Sequence, residues 1–136
     1  MADFVLHPQL AGDSVPVASL PLSDLRLVNQ ARFPWLMLIP RRADAVEMID
    51  LAKPERALLF EEITAVSTAL KAVTRCHKLN VAALGNQVRQ LHVHVIARFE
   101  GDAAWPKPVW GATDVVAYEA GARDRLIAEI RSVLPA

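Results

Sequence analysis

The sequence predicts an α+β domain with a central antiparallel sheet of about five strands, one long helix and a C-terminal helix. Three observations carry this expectation. Short apolar or alternating segments are separated by short turns. One stretch of apolar residues repeats at spacings of three and four. A second helical pattern closes the chain.

The elements follow in order. His7 to Pro21 carries Pro8, Gly12, Pro16 and Pro21 and reads as loops with a short extended piece, Val15-Pro16-Val17-Ala18. Its prolines restrict it to an edge strand at most. Asp24 to Asn29 alternates and predicts a strand. Trp35 to Ile39 is a continuous apolar run closed by Pro40, the pattern of a more deeply buried strand. Gln30 to Pro34 is short enough for a hairpin between them. Arg41 and Arg42 read as a solvated strand end. Val46 to Leu51 fits one or two helical turns. The main helix begins at Pro54, a residue suited to the first helical position, with Glu55 in the first turn. Leu59, Ile63, Val66, Leu70 and Val73 form its apolar stripe, and Arg75 and Lys78 suit its negative pole. Leu79 to Leu84 predicts a strand, Gly85-Asn86 a turn, and Gln90 to Arg98 another strand. Gly101 to Gly111 is a loop containing Trp105-Pro106-Lys107-Pro108-Val109-Trp110. The last helix spans roughly Val116 to Val133.

A chain of 136 residues, 53% of them hydrophobic, suits one domain over 1–136 with a proper core. Fifteen basic and fifteen acidic residues cancel, so affinity for phosphate must be local and nucleic acid is not an expected partner. The single cysteine, Cys76, excludes a disulfide framework and a multi-cysteine metal cluster within one chain. With His77 it ends the main helix, where both read as structural. No segment has the apolar length to span a bilayer, and residues 1–20 lack a secretory pattern. A soluble, cytoplasmic protein without a membrane partner is the expectation.

The chemistry concentrates in Gln90-Leu91-His92-Val93-His94-Val95-Ile96. On a strand, Leu91, Val93, Val95 and Ala97 share one face, and Gln90, His92, His94, Ile96 and Arg98 share the other. Neutral imidazole is a good nucleophile toward phosphorus near neutral pH. The attack needs one fixed tautomer, donors for the non-bridging oxygens and a proton for the leaving atom. The pair can also be two surface histidines on a half-exposed strand. A further reading, ranked below phosphate chemistry, is a zinc half-site, since His-x-His on a strand is bidentate. His7, His77, Cys76 or an acid would then supply a third ligand, but none has a telling spacing.

The segment resembles the signature of the histidine triad (HIT) family of nucleotide hydrolases and transferases, His-φ-His-φ-His-φ-φ with φ apolar. The last two histidines and all four apolar positions match, and Gln90 stands at the first histidine position. The resemblance extends along the chain. Leu27-Val28-Asn29 with Pro40-Arg41-Arg42 is similar to the family's nucleoside-binding hairpin. The long helix falls where the family has its main helix. Gly85-Asn86-Gln87 precedes the motif as the family's phosphate-binding turn does. Gly101-Asp102 and Trp105-Pro106 follow it as in the family's specificity region.

The resemblance implies a HIT-like fold and a homodimer. It makes His92 the nucleophile on the α-phosphorus of a nucleotide and His94 a phosphate contact. It puts Gln90 where a histidine orients the site and meets the leaving group. Glutamine donates and accepts hydrogen bonds but cannot become a cation or a general acid. A reduced rate or altered leaving-group preference is therefore implied. Asn29 corresponds to the ribose contact. Asn86, Gln87, Arg98 and Trp105 are further candidates for nucleotide binding, although turn geometry alone also accounts for Gly85-Asn86. Arg89 falls on the opposite face by strict alternation. Trp105 and Trp110 can stack on a base or pack at a dimer interface. The implied substrates are dinucleoside polyphosphates or nucleoside phosphoramidates, cleaved through a nucleotidyl-His92 intermediate with no protein-bound metal or cofactor. The alternatives are a nucleotide-binding module with little turnover and a metal-binding protein using His92 and His94.

Overall fold

The computed structural model describes residues 3–135. Five strands, β1 (Ser14–Ser19), β2 (Ser23–Val28), β3 (Trp35–Pro40), β4 (Lys78–Ala82) and β5 (Val93–Arg98), pair antiparallel in the order β1-β2-β3-β5-β4. The predicted α+β sheet and the β2–β3 hairpin are present. β1 is an edge strand with a register shift between Pro16 and Ala18, the device that accommodates Pro16.

Helix α1 spans Pro8–Gly12, α2 Lys53–Thr74 and α3 Ala120–Val133, with a 3₁₀ turn at Met48–Asp50. The α2 stripe meets one face of the sheet. Leu59, Val66 and Leu70 are buried against Leu25, Leu27, Val93 and Val95, with Ile63 and Val73 at the margin. Glu55 Oε1 accepts the Ala52 N–H at 2.9 Å and closes the helix start. The helix ends at Arg75, whose φ of 55° turns the chain out of the helix. The buried Glu62 of α2 accepts the Leu22 N–H at 2.7 Å and ties the helix to the β1–β2 turn.

Four expectations shift. A short helix, α1, stands where loop was predicted. Lys78 opens β4 and does not end the helix. β5 begins at Val93, so Gln90 and His92 lie on the chain leading into it. α3 starts at Ala120, capped by Glu119, whose side chain accepts the Gly121 N–H at 3.0 Å. Residues 114–118 lie outside the helix and are tied by side chains from the β2–β3 connection: Gln30 bonds the Asp114 carbonyl and the Val116 N–H, and Asn29 the Tyr118 N–H. Among the described residues no helix is long and apolar enough to cross a membrane.

Candidate functional site

β5 sits between β3 and β4, and all six of its residues are buried. Leu91, Val93, Val95 and Ala97 face the main core, as the alternation predicts. The other face carries His94, Ile96 and Arg98, with His92 just before it.

The approach to His92 is closely specified. Gly85 has φ +69°, and a Cβ there would stand 3.3 Å from the Val88 carbonyl oxygen, so the turn needs glycine. The Leu91 N–H donates to the Ala45 carbonyl at 2.9 Å and fixes the chain beside the segment after β3. His92 Nδ1 lies 2.7 Å from the Gln90 carbonyl oxygen. A carbonyl only accepts, so Nδ1 carries a proton, and in the neutral ring Nε2 holds the lone pair.

His94 is set differently. Trp35 Nε1 donates to its Nδ1 at 2.9 Å. The His92 and His94 ring centroids are 4.8 Å apart, and the Trp110 ring meets His94 edge-on at 5.1 Å. Burial, with a smaller effect from His92, pushes the His94 pKa down to about 4, so this ring is neutral at physiological pH.

Both histidines line a cavity of about 700 Å³, together with Asn29, Asn86, Gln87 and Trp110. Residues that the sequence had not marked also reach it: Trp35 and Gln30 from the β2–β3 hairpin, and Gln9, Leu10 and Asp13 from α1 and its end. Only the strand register, which places Trp35 opposite Ile96 and Met37 opposite His94, brings the hairpin to the histidines. No lysine or arginine lines this cavity among the described residues.

Two candidates stand elsewhere. Arg98 is 1% exposed and spends its guanidinium on Asp102 (2.8 and 3.0 Å) and Asn80 (2.8 Å). Trp105 packs beside Arg98 and His77. Neither lines the cavity of the histidines. Arg89 lines an adjoining cavity of about 390 Å³ that shares Leu84, Gly85 and His92 with the larger one.

Gln90 also lines the smaller cavity and not the larger. Its Oε1 accepts the His7 N–H at 2.9 Å and its Nε2 donates to the Val5 carbonyl at 2.8 Å. Its carboxamide therefore ties down the N-terminal arm, whose Phe4 and Leu6 pack on Leu10, Met37, Ile39 and Val88. His7, which the sequence left without a role, caps α1 by accepting the Gln9 N–H at 3.0 Å. Gln90→Ala is expected to speed hydrogen exchange at the His7 amide about fivefold or more, the equivalent of one hydrogen bond of about 1 kcal/mol. Unchanged exchange there, read by two-dimensional NMR, would show that the arm is held by its apolar contacts alone.

Among the described residues no group of three or more His, Cys, Asp or Glu is placed to hold a metal ion.

The HIT domain family pattern matches residues 11–101. The chain belongs to the histidine triad family. It is similar to a histidine triad protein from Bradyrhizobium japonicum, with 48% identity over 98% of this chain and 100% of that one, at a TM-score of 0.97. A histidine triad (HIT) protein from Sinorhizobium meliloti 1021 shares 44% identity over 96% of this chain and 97% of that one, with a TM-score of 0.95. A histidine triad protein from Marinobacter aquaeolei VT8 shares 37% identity over 98% of this chain and 97% of that one, with a TM-score of 0.95. No curated protein sequence matches the chain significantly. Family membership supports a nucleotide-binding hydrolase or transferase in general terms.

Proposed function

We propose that this chain cleaves nucleoside phosphoramidates at the α-phosphorus, with His92 Nε2 as nucleophile. The observation that carries this is the 2.7 Å contact of His92 Nδ1 with the Gln90 carbonyl, which leaves Nε2 as the basic nitrogen of a ring lining the cavity. In the first step the Nε2 lone pair bonds to the α-phosphorus. The bond from phosphorus to the leaving nitrogen breaks, its electron pair stays on nitrogen, and solvent supplies the proton. Water then attacks the nucleotidyl-histidine. Nucleoside monophosphate departs, the imidazole regains its lone pair, and the proton goes to solvent.

The other residues take roles by position. His94 meets a non-bridging oxygen, and Asn86 and Gln87 approach the phosphate from the Gly85 turn. Asn29 Oδ1 already accepts the Tyr118 N–H, which leaves its amide N–H groups for the ribose. The absence of lysine and arginine from the cavity lining favours a substrate with one negative charge over a polyphosphate. Dinucleoside polyphosphates are the second substrate class, with Arg89 in the adjoining cavity as the available cation. No protein-bound cofactor enters the steps.

The test is to incubate the protein with adenosine 5′-phosphoramidate and, separately, with a diadenosine polyphosphate. Monophosphate release and an alkali-stable adduct are then measured. Faster release from the phosphoramidate is the expected result. Binding of both compounds with background release from either would instead establish a nucleotide-binding module.

A further inference from the structure

We propose that Trp35 is a positioning residue that holds His94 as the neutral imidazole protonated at Nε2, so that His94 meets the phosphate as a hydrogen-bond donor and not as a cation. This rests on His94 as the phosphate contact proposed above.

The geometry is direct. An indole N–H donates and never accepts. At 2.9 Å from His94 Nδ1 it requires a lone pair on that nitrogen. The one remaining proton of the neutral ring is then on Nε2. An imidazolium would set two N–H groups against each other at this contact, so the bond and the cation exclude one another.

The indole is well fixed for this task. Trp35 opens β3, half-buried, opposite Ile96 of β5. Trp110 packs edge-on against it at 5.6 Å and against His94 at 5.1 Å, so two indoles border the same imidazole. The charged or titratable side chain nearest this ring along the strand is His92, at 4.8 Å between centroids.

The result is two histidines in opposite tautomers. The acceptor-only carbonyl of Gln90 holds the neutral form of His92 with Nδ1–H and a bare Nε2. The donor-only indole of Trp35 holds His94 with a bare Nδ1 and Nε2–H. One ring is set to attack and the other to donate, and the division of labour comes from their partners.

Two-bond ¹H–¹⁵N spectra of the ¹⁵N-histidine-labelled protein at neutral pH test this. His94 is expected as the Nε2–H tautomer and His92 as the Nδ1–H tautomer. Trp35→Phe keeps an aromatic ring and removes the N–H. It is expected to turn His94 into a mixture of tautomers and to lower kcat/KM on adenosine 5′-phosphoramidate about tenfold. Should that variant fail to fold, the wild-type spectrum decides alone. A His94 protonated at Nδ1, or an imidazolium at neutral pH, overturns the proposal. So does a Trp35→Phe spectrum identical to wild type. If the wild-type tautomers are as expected but no nucleotide is turned over, the assignment of Trp35 to the tautomer stands and the proposed enzyme activity falls.

Discussion

Replacing His92 with alanine is expected to lower kcat/KM by about 10,000-fold or more while nucleoside monophosphate binding changes by less than about tenfold. The asymmetry follows from where the interactions lie. In the proposed mechanism the covalent bond from Nε2 to phosphorus exists only along the reaction path, so its loss removes transition-state stabilisation and little ground-state contact. In the proposed reading, binding draws on Asn29, Trp110 and the Gly85 turn, which line the cavity beside His92. Alanine also leaves the Gln90 carbonyl without its 2.7 Å partner, but Gln90 is a part-exposed residue that lines a cavity. Single-turnover chemistry and a calorimetric titration with monophosphate make the comparison. Equal turnover by wild type and variant would exclude His92 as the nucleophile. A large parallel loss of binding would instead make the residue a ground-state contact.

The largest stability effect is expected at Asp102. Its carboxylate takes two bonds from Arg98 and accepts the N–H groups of Phe99, Ala104 and Trp105. Asp102→Ala strands a guanidinium that is 1% exposed, between the rings of Phe33 and Trp105, with Asn80 as its remaining partner. Breaking a buried pair from one side costs about 3–5 kcal/mol. A denaturant titration should show that loss. Arg98→Met, which leaves no unpaired cation and keeps the three backbone donors to Asp102, is expected to cost less. A loss under 1 kcal/mol for Asp102→Ala would mean that water reaches the pair.

The pH dependence follows from the same contacts. Burial raises the Asp102 pKa, but Arg98 and the three backbone N–H groups outweigh it and hold the carboxyl well below its ordinary value of 3.8. A depressed folded-state value means that the unfolded chain binds the proton first. The stabilisation is therefore complete above the ordinary value and is lost as pH falls below it. In Asp102→Ala this part of the acid unfolding curve should flatten.

What could be read from the sequence follows the physics of each signal. Period-two alternation places Leu91, Val93, Val95 and Ala97 on one buried face whatever surrounds them, and the three-and-four stripe does the same for α2. Arg98 shows the limit of that logic. It shares parity with His94, yet four strand residues at about 3.3 Å each put it roughly 13 Å away, beside an acid that captures it. Trp35 escaped because its role depends on a cross-strand register that no local pattern encodes. α1 escaped because five residues carry too little periodicity, although Pro8 in its first turn was a usable sign. The late start of α3 reflects tertiary bonds from Asn29 and Gln30, which engage the backbone of residues 114, 116 and 118.

The position of β5, paired on both sides and covered on both faces, has a consequence for how this protein fails. Amide protons of a strand so placed exchange by opening of much of the domain, not by local fraying. The imidazoles ride on that strand or on the residue that enters it. Heat or denaturant should therefore leave a shrinking population of fully competent molecules, with KM constant and total activity tracking the folded fraction.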